Sequence, residues 1–195
     1  MRKAIAVVLF AITCWAAESS QATDFQTRFL LHKQAVSEGK TTGVAGWFVV
    51  PDITTTQPLK NLFVAGPCFK DSTVWAEVMG GVMITSATIG DSTTQTCEFV
   101  GNIRIQCKNV GSFDLFTEFF VRPSDPVIIY VLSRQITTST KLPTLTAGIE
   151  LDWFVEREIR IGPRLTMSYK ALSISLARQY AEYQNILRLY CLANL

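Results

Sequence analysis

Asn185-Ile-Leu-Arg-Leu-Tyr-Cys-Leu-Ala-Asn-Leu195 is the stretch on which the fold turns. Read as an extended strand, it puts Leu187, Leu189, Cys191, Ala193 and Leu195 on one face. Arg188, Tyr190 and Asn194 take the other, with Ile186 and Leu192 as apolar exceptions. The ends of soluble domains usually fray. This chain ends instead on an apolar residue in phase with a strand.

Alternation of the same kind fills most of the chain. It is cleanest in Glu158–Lys170. There Ile159, Ile161, Leu165, Met167 and Tyr169 oppose Glu158, Arg160, Arg164, Thr166, Ser168 and Lys170. Cys97–Cys107, Phe113–Val121, Val127–Ile136 and Gly148–Val155 read as further strands. The turn signal Arg122-Pro-Ser-Asp-Pro126 joins two of them. Gly46–Val50, Leu59–Ala65 and Val74–Ile84 add more, with Thr85–Thr96 as a Ser/Thr-rich connection. In residues 172–195 helical spacing competes (Leu172, Leu176, Tyr180, Tyr183, Leu187), but the Ser173/Ser175 alternation favours two strands. Residues 23–43 read as a separate segment, a short helix or irregular piece, because Phe25, Phe29 and Leu30 fall at near-helical spacing.

The expected fold is therefore all-β, an antiparallel up-and-down barrel of about 8–10 strands over residues 44–195. Arg2 and Lys3 precede an uncharged run, Ala4–Ala17, shorter than the roughly 20 residues a spanning helix needs. Residues 1–22 thus read as a secretory signal peptide, with Ser20-Gln-Ala22 before the cut. Charged residues make up 17% of the chain, against about 25% in ordinary soluble domains. An exported chain this apolar, with no spanning helix, must hide its apolar face in a core or show it to lipid as a closed barrel.

Alternation alone does not say which face is inside. Charges of both signs on the polar faces fit a lumen network of Arg104, Asp114, Glu118, Arg134, Glu150, Asp152, Arg160 and Arg164. Aromatic residues near the strand ends, such as Trp47, Phe48, Trp153 and Tyr169, fit interfacial girdles. Four cysteines follow the leader, and the equal parity of Cys97 and Cys107 makes them a candidate disulfide closing a hairpin.

The leader, the hairpin series, Glu158-Ile-Arg-Ile-Gly-Pro-Arg-Leu-Thr-Met-Ser-Tyr169 and the closing Leu187–Leu195 together resemble small Gram-negative outer-membrane β-barrel proteins. The resemblance covers most of the mature chain as a pattern and identifies no subfamily. It implies a membrane-spanning barrel in the bacterial outer membrane, whose partners are outer-membrane lipid and the barrel-assembly machinery. In that family the last strand is the assembly signal, ending in Phe. Here Leu187, Leu189, Tyr190 and Leu195 hold those places, and Leu195 departs from the pattern.

Enzyme signatures are sparse. His32 is the sole histidine, so a His-based triad or a multi-histidine metal site is not expected. Gly39-Lys40-Thr41 mimics the end of a phosphate loop, but Gln34 stands where its first glycine belongs. Glu150/Asp152 and Glu156/Glu158 have same-face spacing, which a paired-acid hydrolase could use, although lumen charges of structure have it too. A net charge of +2 and no basic-aromatic stripe give no reason to expect nucleic acid. The reading is a non-enzymatic barrel without cofactor or metal, with a structural, surface-interaction or narrow-channel role. The alternative is a secreted or periplasmic, disulfide-bonded, lipocalin-like barrel that binds a small apolar ligand.

Overall fold

The computed structural model describes residues 23–37, 40–54, 59–89, 92–123, 126–136, 143–155, 157–181 and 185–195. The expected leader, residues 1–22, lies outside them. Eleven strands close into one barrel. They are β1 (Thr23–Val36), β2 (Thr42–Thr54), β3 (Leu59–Lys70), β4 (Val74–Ile89), β5 (Ser92–Val110) and β6 (Phe113–Val121). The rest are β7 (Val127–Gln135), β8 (Thr144–Phe154), β9 (Glu158–Tyr169), β10 (Leu172–Tyr180) and β11 (Asn185–Asn194). Every consecutive pair is antiparallel. An odd number of hairpin-linked strands leaves the first and last running the same way. Closure is accordingly parallel, with Phe25 opposite Leu187 and Leu31 opposite Ala193.

The barrel has one strand more than the expected 8–10, and that strand is β1. Residues 23–43 are not a helix. The β1–β2 register shifts between Thr27 and Phe29, with the extra residue on β2, while β1 itself alternates: Gln26, Arg28, Leu30, His32 and Gln34 all face inward. Apolar residues stand on both of its faces, Leu30 toward the lumen and Phe29 and Leu31 outside, and that mimics helical spacing in the sequence. The Ser/Thr-rich segment 85–96 is not a long connection either. It extends β4 to Ile89 and starts β5 at Ser92, as threonine's β propensity allows. Two strands, Leu172–Tyr180 and Asn185–Asn194, stand where a helix competed in the sequence.

The faces are inverted relative to a soluble barrel. Phe63 (57% exposed), Phe99 (84%), Val78, Ile149, Ile161 and Ile174 stand exposed on the outside. Glu77, Asn102, Glu150 and Gln179 are completely buried, and Asp152 and Arg188 nearly so. The interior is divided. Toward β2–β5 it is filled by an apolar cluster of Ala45, Trp47, Val64, Cys68, Met79, Met83 and Val100. Toward β6–β11 it is charged and hydroxyl-bearing.

Two Gly-Pro pairs break the ladder inside strands. Proline has no N–H to donate. The β3–β4 ladder skips Gly66-Pro67, between Ala65↔Gly80 and Cys68↔Glu77. The β9–β10 ladder skips Gly162-Pro163, between Ala177↔Arg164 and Tyr180↔Ile161. A Cβ on Gly66 would sit 2.1 Å from the Val78 carbonyl oxygen, and one on Gly162 would sit 1.7 Å from that of Arg178. Only glycine lets the strands approach so closely. Beside each break stands a buried carboxylate: Glu77 opposite Cys68, and Glu150 opposite Gly162.

Candidate functional site: the charged lumen

Glu150 of β8 is the hub of the polar half. It accepts hydrogen bonds from Arg164, from Arg188 Nη1 at 3.1 Å, from Gln179 Nε2 at 2.9 Å and from the Tyr190 hydroxyl at 3.0 Å. Arg188 is shared. Its Nη1 also reaches Asp152 Oδ2 at 2.5 Å, and its Nε donates to Gln26 Oε1 at 2.9 Å. A charge buried in a barrel interior is tolerable only when paired and hydrogen-bonded. Five strands supply the partners here. Arg164 continues into a hydroxyl ladder, donating from Nη2 to Ser175 Oγ at 3.1 Å; Thr166–Ser175 and Ser168–Ser173 follow, each at 2.8 Å.

A second cluster surrounds Glu77 of β4. Its Oε1 lies 2.8 Å from His32 Nε2 and accepts from Gln34 Nε2 at 2.9 Å, while Oε2 accepts from Trp47 Nε1 at 2.7 Å. His32 Nδ1 faces Asn194 Oδ1 at 2.9 Å, which ties β1 to the end of β11. The His32 ring stacks on Trp47 at 4.1 Å, and the Arg104 guanidinium lies 3.6 Å from the centre of the same indole. Arg104 in turn donates to Glu118 Oε1 from Nε at 2.9 Å and from Nη2 at 2.7 Å, and Asn102 Nδ2 joins the same oxygen at 2.6 Å. Trp47 therefore couples two charge clusters across β1, β2, β4 and β5.

Two cavities follow from this filling. The larger, about 720 Å³, runs along the polar half from Arg157 and Glu158 at one end to Ser133, Thr146 and Ser168 toward the other. The smaller, about 470 Å³, opens among Gln34, Lys70, Thr73 and Lys108. Trp47, Trp75, Gln106 and Leu192 line both and divide them. In the turn beside the smaller cavity, Asp71 Oδ1 accepts the backbone N–H of Val74 at 2.6 Å and of Thr73 at 2.7 Å. Those two donors hold its carboxyl below the ordinary carboxylate range.

Of the eight residues expected in the lumen, Arg104, Glu118, Glu150, Asp152, Arg160 and Arg164 face inward in these clusters. Arg160 pairs with Glu158 and lies over the Phe154 ring at 4.3 Å. Asp114 lines the larger cavity, and its Oδ1 accepts the backbone N–H of Asn109 at 3.0 Å. Arg134 is not in the lumen. It is exposed and shares a face of β7 with Ile128, Tyr130 and Leu132, while Val127, Ile129, Val131 and Ser133 line the cavity. The strand is apolar on both faces up to Leu132, so alternation there carries no direction.

The candidate Cys97–Cys107 disulfide does not form. Both residues lie on β5, and ten residues of strand at about 3.3 Å each hold them far apart. Cys68, Cys97, Cys107 and Cys191 are all free. In β11, Leu187 and Leu189 face outward and Tyr190 inward, and Leu195 N bonds to His32 O at 2.8 Å. Glu77, His32, Gln179, Arg188 and Tyr190 are lumen residues that the sequence reading left out of its network. The signal for Glu77 was a lone carboxylate in an apolar strand, in phase with Trp75 and Met79. Among the described residues no group of His, Cys, Asp and Glu could hold a metal ion. Comparison with protein-family models, with curated proteins and with solved structures gives no match.

Proposed function

We propose that this chain is an integral outer-membrane β-barrel whose lumen is a narrow polar passage, without enzymatic activity. The observation that carries the reading is the inversion of faces: bulky apolar side chains outside, ion pairs inside. Water penalises the first arrangement and a bilayer rewards it. The position of the aromatic residues supports it. Phe69, Phe113 and Tyr169 are exposed near the ends of their strands at one rim, and Trp153 near the other. A leader in residues 1–22 and handling of β11 by the barrel-assembly machinery belong to the same proposal. An eleven-strand barrel is intermediate between filled eight-strand barrels and open porins. Half of this lumen is filled with apolar side chains, which favours passage of small solutes over general permeation. A lipocalin-like barrel would keep its apolar side inside and a helix near residues 172–192. The outer face here is apolar, and strands occupy that segment.

The test is fractionation of expressing cells. Carbonate-resistant membrane material that migrates differently on gels when boiled and unboiled is the expected result. A soluble periplasmic product would overturn the reading. Within the purified barrel, Ile161→Asp on the outer face should block assembly, while Thr166→Asp in the lumen should not. Equal tolerance at both positions would also overturn it.

A further inference from the structure

The two rims differ in charge. At one rim, four of the five hairpins carry an exposed lysine in or beside the turn. Lys40 precedes β2, Lys70 ends β3, Lys108 lies near the end of β5, and Lys170 forms the β9–β10 turn. The remaining connection there, between β7 and β8, contains Lys141 in its sequence. Acidic residues near them are few, and the two described ones are engaged locally: Asp71 caps its own turn and Asp114 holds the Asn109 amide. The connections of the opposite rim hold Asp91, Asp125, Glu156 and Glu182 in their sequence against Arg122 and Arg157, and Lys60 and Arg178 lie in the strands beside them.

Of the outward-facing bases on the barrel wall, two lie near the lysine rim, whereas Arg178, near the end of β10, lies toward the opposite one. Lys33 and Arg134 are both exposed, and both lie within the last few residues of strands that end at the lysine rim. A base in the apolar wall is costly at mid-depth. Near a rim its long side chain can reach the aqueous boundary. The exposed aromatics Phe69, Phe113 and Tyr169 mark the same height, and Lys170 Nζ lies 5.4 Å from the Tyr169 ring.

We propose that the lysine rim seats in a layer of phosphate-bearing lipid head groups. The proposal rests on the membrane reading above. Distribution decides the class of partner. A globular partner would touch one sector of the rim. Lysines on successive hairpins around the circumference fit a plane that encircles the barrel. Lysine binds phosphate as a point charge and asks for no fixed geometry, which suits mobile head groups. An anionic surface attracts each such residue, and the attraction falls off within a Debye length. The rim also fixes orientation, because the opposite end would face the less anionic side.

The experiment uses the full barrel reconstituted in phosphatidylcholine vesicles, with trace spin-labelled phosphatidic acid or spin-labelled phosphatidylcholine. Electron paramagnetic resonance reads the fraction of each lipid held at the protein surface. The expected result is a preference for phosphatidic acid of at least about three-fold at low salt. It should shrink toward one near 1 M salt, where the Debye length is about 3 Å. Replacing Lys33, Lys40, Lys70, Lys108, Arg134 and Lys170 together by Gln should bring the ratio to about one at low salt, with insertion unchanged. A ratio near one for the unaltered barrel at low salt overturns the proposal and leaves the membrane reading intact. So does binding of soluble polyphosphate by an inserted barrel with no lipid preference. Failure to insert in phosphatidylcholine at all overturns both. The salt arm needs no variant, so the test stands even if the six-fold replacement does not fold.

Discussion

Replacing Glu150 by leucine is the sharpest probe of the lumen network. The carboxylate is fully buried and accepts from Arg164, Arg188, Gln179 and Tyr190. Removing one partner of a buried ion pair costs about 3–5 kcal/mol, because an uncompensated charge is left behind. The burden is unequal here. Arg188 keeps Asp152 at 2.5 Å and Gln26 at 2.9 Å, whereas Arg164 keeps only hydroxyl oxygens, Ser175 at 3.1 Å and Thr166 at 3.4 Å. The loss should therefore fall at the lower end, about 3 kcal/mol. With a urea slope of about 1–3 kcal/mol/M, the midpoint should drop by about 1–3 M. The assay is urea unfolding of the barrel in micelles, followed by tryptophan fluorescence and by unboiled gel mobility. The decisive companion is Glu150→Leu with Arg164→Met. Removing both charges leaves no orphan charge, only the Gln179 and Tyr190 donors without their acceptor, so most of the lost stability should return. A single variant within about 0.5 kcal/mol of the parent would refute the reasoning, as would a double variant at least as unstable as the single.

Other consequences are as direct. Gly162→Ala would drive its Cβ into the Arg178 carbonyl, so the β9–β10 pairing should loosen by about 1–3 kcal/mol in the same urea assay, with amide exchange rising on both strands. Thr166→Trp would project into the larger cavity, and single-channel conductance in planar bilayers should fall several-fold while unboiled mobility is kept. Cys97 is exposed and Cys68 buried, so a maleimide should label the first and spare the second in the folded barrel, and reductant should leave thermal stability unchanged. Asp71 has a folded pKa below its unfolded one, so its contribution is present above the unfolded value, about 3.9, and disappears as pH falls through the folded value. Amide protection of Thr73 and Val74 should be lost only in that acid window, and Asp71→Asn should remove the dependence.

The barrel was legible wherever one face is apolar and the other polar. In β9 the outward set Ile159, Ile161, Leu165, Met167 and Tyr169 and the inward set Arg160, Arg164, Thr166 and Ser168 read straight from the sequence. Legibility failed for three physical reasons. Neighbouring apolar residues on opposite faces, Leu30 inside and Phe29 and Leu31 outside, disguised β1 as something other than a strand. Strands apolar on both faces, such as β7, hid the direction of Arg134. Clusters assembled from distant strands left no local trace; Glu77 finds His32, Gln34 and Trp47 from β1 and β2. The shared parity of Cys97 and Cys107 pointed to a hairpin between them, yet both lie within the single strand β5, and the turn that follows it is at Gly111-Ser112. Parity within one strand and parity across a hairpin look alike in a sequence.

The central claim is that apolar residues face lipid and charges face a lumen. Spin labels placed singly at residues 159–169 of β9, in the barrel reconstituted in lipid vesicles, test it most directly. Accessibility to oxygen should alternate with period two, high at 159, 161, 165 and 167, while a water-soluble nickel complex should find those same positions protected. Uniform access of the nickel complex along the strand, or the opposite phase, would contradict the account.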